Sequence, residues 1–248
     1  MLKNLATLAY REVLILTKIK ARVIGLVVNA LLWLIALGFG LNPVVSISGF
    51  SYFAFLVPGM IGINLLFPSF FGASTLITDR QFGFFKELKI APIKRYVVIL
   101  GKALGLTVYA SFSALILLAI SFLLGFQLSN PIIQIPQILG LIVLSSLGLT
   151  CLGLAIAARF YDTQSFQLMG NFIVFPFFLL SGAFFPLDKA PWFIQAFSYI
   201  NPITYGIDAL RAVSLGISHL PLILDLAILA GFTIATLLLA AWLFNKSE

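Results

Sequence analysis

Residues 103–126 read ALGLTVYASFSALILLAISFLLGF, without one Asp, Glu, Lys, Arg or Pro. A helix needs roughly 20 apolar residues to cross a hydrocarbon core of about 30 Å, and this run meets that length. Comparable runs lie on both sides, over 23–41, 52–77, 137–158, 166–185 and 222–244. All are helix-length, whereas a membrane β-barrel would show short alternating segments. Pro58, Pro68 and Pro176 fall inside runs, where neighbouring helices can satisfy a freed carbonyl. The first run is too long for the apolar part of a cleaved leader and no small-x-small site follows it, so it is expected to stay as a helix.

Composition agrees with a chain dissolved in lipid. Of 248 residues, 61% are hydrophobic and 9% charged. A soluble domain carries about 25% charged residues, and disorder needs low hydrophobicity with high net charge. The expected fold is therefore all-α and membrane-integral, one domain of six transmembrane helices over residues 1–248. Fifteen Lys and Arg against eight Asp and Glu give +7. With a cytoplasmic N-terminus, all of these cations but Lys189 and Arg211 fall on the cytoplasmic side. That bias fixes orientation by the positive-inside rule, and an even number of spans returns the C-terminus to the same side. In such a chain the positive excess is first a topology signal, and it argues no nucleic-acid partner.

Residues 1–22 form a basic amphipathic helix suited to the inner leaflet. At 100° per residue Asn4, Thr7, Arg11, Lys18 and Arg22 make one stripe, and Leu5, Leu8, Ala9, Leu16 and Ile19 oppose it. Glu12 and Lys20 blur the pattern. The helix serves as a topology anchor or as a contact for a cytosolic protein.

The loop 79–102 reads DRQFGFFKELKIAPIKRYVVILGK. Its charges place it in water, yet Phe82, Phe84, Phe85, Leu88 and Ile90 crowd into nine residues. Gln81 to Ile90 is long enough for a short helix, which Pro92 ends. Its aromatics need a cover, either this protein's own bundle and the headgroups or a cytosolic subunit. Gly83 allows a close approach by a partner backbone or a kinked helix start. Gly101-x-x-x-Gly105 is a weak packing motif.

The segment 187–221 is too apolar for a solvated linker, and each half is too short to span. Pro191 suits a first helical turn ahead of Trp192, Phe193, Ala196, Phe197 and Ile200. Asn201-Pro202 breaks the chain, and a second helix runs from Tyr205 to Leu215, ended by Gly216. Asp208 and Arg211 share a face at i,i+3 and are expected to pair. Two short helices dipping into the outer leaflet fit these facts, and so does an interfacial aromatic belt.

Motifs for bond-making chemistry are missing. Gly101-Lys102 lacks the upstream Gly of a phosphate-binding loop and is followed by Ala103. No H-E-x-x-H or G-x-S-x-G occurs. The lone Cys151 and lone His219 supply no disulfide and no Cys- or His-rich metal site. A proton- or sodium-driven carrier usually shows ionisable residues at mid-membrane, and Asp225 lies only near the outer end of the last run.

Two stretches resemble one family, the type-2 ABC transporter permeases. The first is DRQFGFFKELKIAP at 79–92 followed by LGK at 100–102, similar to that family's cytoplasmic loop. The second is PFFLLSGAFFPL at 176–187, continuing through Pro191-Trp192 to NPITYGIDALR at 201–211. The drug-resistance and polysaccharide or lipid exporters are the most similar group, and the resemblance extends over nearly the whole chain. It implies a separate ATP-binding subunit that holds ATP and Mg, so that this chain has no cofactor of its own. It implies a dimer of permease subunits, a homodimer or a heterodimer, in the cell membrane. The substrate would be a hydrophobic or amphipathic drug, lipid or lipid-linked glycan. Gln81, Phe82, Gly83, Phe84, Phe85, Lys86, Glu87 and Leu88 would form a coupling helix. Trp192, Asn201, Pro202, Tyr205, Asp208 and Arg211 would belong to two re-entrant helices. The family often has an acidic residue where this chain has Gln81, and Glu87 supplies that element's negative charge. The rival reading is a partnerless channel or facilitative carrier. A membrane scaffold would leave the paired outer helices unexplained.

Overall fold

The apolar runs fold as helices, because only internally bonded backbone is stable in lipid. The structure, a computed structural model, describes residues 2–18, 20–43, 46–47, 49–83 and 95–247. Helix α1 is Leu2–Thr17 and α2 is Lys20–Leu41. A minimal antiparallel hairpin, β1 (Ser46–Ile47) and β2 (Phe50–Ser51), leads into α3 (Tyr52–Gly72). Ser51 caps α3 by accepting from the Ala54 N–H. After a turn at Ala73 the chain continues as α4 (Ser74–Gln81). Then follow α5 (Arg95–Leu123), α6 (Pro131–Ala157), α7 (Thr163–Leu179), a 3-10 turn (Leu187–Lys189), α8 (Trp192–Ile200), α9 (Pro202–Leu215) and α10 (Leu222–Ser247).

Among the described residues four helical stretches are long and apolar enough to cross a bilayer: Tyr52–Gln81, Val97–Leu123, Pro131–Ala157 and Leu222–Phe244. Val27–Leu41 is a shorter apolar stretch, and α7 has 17 residues. Leu123, Ile132 and Ile223 are 86%, 86% and 82% exposed on the outside of the bundle. Water would penalise such a surface heavily, and lipid does not. Among the described residues the regular structure is thus all helical apart from a four-residue hairpin, as an all-α membrane protein requires.

The centre is α3. From Tyr52 to Phe70 only Ala54 and Phe67 escape burial. It packs against α2, α5, α6, α7 and α9. Helix α10 lies outside, against α6 and α9, while α1 packs along α5.

Several boundaries differ from those expected. Residues 1–22 are not one helix, since α1 ends at Thr17 and α2 already starts at Lys20, and the run 137–158 begins as helix at Pro131, a residue suited to a first turn. The run 103–126 begins as helix already at Arg95, because Lys102 is buried and ion-paired rather than in a solvated loop. The run 166–185 is helical only over Thr163–Leu179, with Asp162 as its cap. It stops because Ser181 Oγ donates to Phe178 O and accepts from the Ala183 N–H, forming a turn with Gly182 at φ +72°. The second helix of the segment 187–221 starts at Pro202 rather than Tyr205, since Asn201 accepts from the Ile203 N–H and caps it there.

Candidate functional site

Beyond α7 the chain turns back and buries itself beside the start of α3. Gly59 permits this, since a Cβ there would meet the Ala183 carbonyl oxygen at 2.5 Å. Tyr52 Oη donates to Phe184 O at 2.9 Å from the same helix. Arg211, on α9, is 6% exposed and reaches into this turn. Its Nη1 donates to Gly182 O at 2.9 Å and its Nη2 to Ala183 O at 2.8 Å. The guanidinium also lies 3.7 Å from the Phe55 ring centroid, and its Nε makes a long contact of 3.4 Å to Phe55 O. A planar, weakly hydrated fork suits this set of acceptors and the ring face.

The expected Asp208–Arg211 pair is not formed. Asp208 instead accepts from the backbone N–H groups of His219 and Leu220, at 2.8–2.9 Å, closing the loop before α10. Backbone donors and acceptors buried nearby compete for both charges more favourably than their neighbour one turn away. Asn201 is fully buried, and its Nδ2 donates to Phe177 O at 2.9 Å, tying the break between α8 and α9 to α7. Pro202 opens α9, Tyr205 Oη donates to Tyr199 O at 2.6 Å, and Gly216 ends the helix in the left-handed region. Trp192 does not join this cluster: it is 79% exposed at the start of α8.

At the opposite end of α3, only the beginning of the aromatic loop is described. Gln81 is the last residue of α4, not the first of a new helix, because Gly83 at φ +78° breaks the run. Among the described residues a Cβ on Gly83 would meet nothing within 4 Å, and the glycine serves the turn through its positive φ. Phe82 is 85% exposed. Phe84, Phe85, Lys86, Glu87 and Leu88 lie outside the described residues.

The stem of that loop holds contacts that spacing alone did not reveal. Arg80 donates to Phe160 O at 2.9 Å and stands over the Tyr161 ring, while Gln81 Nε2 donates to Tyr161 O at 2.9 Å. Asp79 receives Arg11 at 2.8 and 3.1 Å and Lys102 at 2.5 Å. Lys102 also meets Glu12 at 2.5 Å. The one available signal was Glu12: at 100° per residue it projects with Leu5, Leu8 and Leu16, an acid on the apolar side of α1.

Between α2, α3 and α7 runs a groove of about 490 Å³. Trp33, Phe67, Phe175 and Phe178 wall it, and Asn29 and Asn64 are its polar members. Trp33 and Phe67 meet Phe178 edge-on, with ring centroids 6.2 and 5.8 Å apart. Such a surface accepts apolar and aromatic matter and offers few polar anchors. Among the described residues no cluster of three His, Cys, Asp or Glu side chains could hold a metal.

The structure is thus a lipid-dissolved helical bundle with a buried turn after α7, a tethered loop stem and an aromatic groove. The chain is a member of the ABC-2 type transporter family, whose model matches residues 3–215. It is 29% identical over 203 residues to an inner membrane transport permease, YadH, of Escherichia coli, covering 81% of this chain and 77% of that one. It is 31% identical over 224 residues to a putative transport permease, ycf38, of Pyropia yezoensis, covering 85% and 74%. Nodulation protein J of Rhizobium leguminosarum bv. trifolii is 25% identical over 199 residues, covering 79% and 75%. The family resemblance read from residues 79–102 and 176–211 is thereby borne out, and the chain is a transport permease rather than an enzyme.

Proposed function

We propose that this chain is the membrane-spanning subunit of an ATP-driven exporter, working as a dimer of permeases with a separate ATP-binding protein that holds ATP and Mg. Family membership supports the partner, and the aromatic groove carries the substrate class. A groove walled by Trp33, Phe67, Phe175 and Phe178 with two amides suits a hydrophobic or amphipathic molecule such as a drug, a lipid or a lipid-linked glycan. The chain crosses the cell membrane six times, with α2 and α7 as the first and fifth spans. Helices of 17 and 22 residues fall within the spanning range of about 17–25. Helices α8 and α9 re-enter the outer leaflet, and both termini are cytoplasmic. The loop containing Gln81, Phe82, Gly83, Phe84, Phe85, Lys86, Glu87 and Leu88 receives the ATPase. Its motion switches the spans between inward and outward states.

The test is reconstitution. Purified chain alone is expected to hydrolyse no ATP, and vesicles containing it with its ATPase should accumulate an aromatic amphiphile only with ATP. Accumulation down a gradient without the ATPase would instead establish the facilitative carrier. Reporters active only outside the cytoplasm should work after Asn130 or Ser218 and fail after Lys94 or Glu248.

A further inference from the structure

We propose that the ion cluster of Arg11, Glu12, Asp79 and Lys102 binds α1 to both ends of the aromatic loop as one rigid body, and that these four are positioning residues for coupling ATP hydrolysis to transport. This rests on the reading that the loop receives the ATPase. Asp79 stands on α4 just before the loop, and Lys102 on α5 just after it. Lys102 Nζ lies 2.5 Å from Asp79 Oδ2 and 2.5 Å from Glu12 Oε1, so one ammonium joins the loop's two flanks to α1. Arg11 grips both oxygens of Asp79 from the same helix, at 2.8 and 3.1 Å. Lys102 and Glu12 are each 1% exposed and Asp79 is 7% exposed. Two acids and two bases make the group neutral, the condition for keeping charges away from water.

Shape enforces the same union. The faces of α1 and α5 meet in a notch cut by the Gly101-x-x-x-Gly105 spacing. A Cβ on Gly101 would meet Leu8 Cβ at 2.6 Å, and one on Gly105 would meet Ala9 O and Glu12 Cβ at 2.6 Å. Sliding α1 along α5 would drive its backbone into the side chains bordering the notch and separate buried ion pairs. Pulling one partner from such a pair leaves an uncompensated charge in a low dielectric. A push on the loop therefore reaches α1 as well as α5. The neighbouring Arg80 and Gln81 hold the Phe160 and Tyr161 carbonyls, so the same stem also grips the turn between α6 and α7. Helix α1 is accordingly part of the drive train and not a passive anchor on the leaflet.

The experiment uses the full permease–ATPase complex in lipid nanodiscs and vesicles. Two charge-neutral double variants avoid stranding a buried ion: Glu12→Gln with Lys102→Met, and Arg11→Gln with Asp79→Asn. Each should still assemble with the ATPase, while substrate moved per ATP falls roughly tenfold or more, as expected when a buried tether is cut. Conservative Lys102→Arg should restore most of the ratio. A purely structural role would lower the amount of complex and leave that ratio unchanged. Spin labels at Tyr10→Cys and Leu123→Cys, both exposed sites, in a Cys151→Ala background, read the rigid-body claim directly. Their distance should be the same in nucleotide-free and ATP-trapped complexes and broaden in the double variants. A changed distance in the unaltered cluster, or assembled double variants with full transport per ATP, overturns the proposal. If the double variants do not fold, the label distance decides alone. If Phe84→Ala with Phe85→Ala leaves the ATPase bound and transport intact, the loop reading fails, while the α1–α5 distance still reports on the rigid body.

Discussion

Arg211→Ala should loosen the turn after α7 more than any other single change on α9. Two good hydrogen bonds disappear, to Gly182 O at 2.9 Å and Ala183 O at 2.8 Å, leaving two buried carbonyls without their donors. Hydrogen bonds to a charged group contribute about 1.5–3 kcal/mol each. The Phe55 ring contact at 3.7 Å adds on the order of 1–2 kcal/mol in a desolvated site. Against this stands the recovered cost of burying a guanidinium, several kcal/mol in its own right. The net loss is roughly 3–5 kcal/mol, the range seen when a buried charged partner is removed. For a chain of this size each kcal/mol lowers the melting midpoint by about 2–4 °C, so the drop is on the order of 10 °C. Arg211→Lys keeps the charge but serves only one carbonyl at a time, and should fall about halfway. The assay is thermal unfolding of the detergent-solubilised protein, paired with protease cleavage within 181–186. Because Asp208 spends its oxygens on His219 and Leu220, a double-mutant cycle between it and Arg211 should give a coupling below the roughly 3–5 kcal/mol of a direct buried pair, leaving only a through-space attraction one turn away. An unchanged midpoint in Arg211→Ala, or a coupling that reaches that range, would refute this account.

Gly59→Val should express yet fail to seat the turn, since its Cβ would collide with the Ala183 backbone, whereas Gly140→Ala, with open space around it, should be neutral; protease sensitivity at 181–186 separates the two. Asp225 is fully buried and neither carboxylate oxygen has a hydrogen-bond partner among the described residues, so Asp225→Asn should hold or raise the melting midpoint, and a fall of several degrees would reveal a partner. Removing the exposed Phe82 ring together with Phe85 should weaken retention of the ATPase by roughly tenfold or more, because each buried Phe contributes about 1.5–3 kcal/mol; undiminished co-purification would place the joint elsewhere.

The helices were legible because lipid demands long unbroken apolar runs, and 103–126 or 222–244 satisfy that demand without reference to any neighbour. Gly216 and Asn201-Pro202 were equally readable, since caps and breaks are local chemistry. Charged residues were misread wherever their partners lay far along the chain. Lys102 looked like the edge of a solvated loop because Glu12, its partner, stands 90 positions earlier. Arg211 looked paired with Asp208 because spacing shows only side chains one turn away, and its true acceptors are carbonyls 28 and 29 positions back. Trp192 shared a motif with Asn201 and Arg211, but the face of α8 that carries it turns outward. Glu12 was the one misplaced charge that a helical wheel could have exposed.

The notch that receives α1 also dictates an order of assembly. Leu8, Ala9 and Glu12 cannot find their groove until Gly101, Lys102 and Gly105 have been made. At about 5–20 residues per second, a gap of 90 positions takes the ribosome on the order of ten seconds. Through that interval α1 must wait with its acid and its apolar face uncovered, and the membrane surface is the natural place for an amphipathic helix to wait.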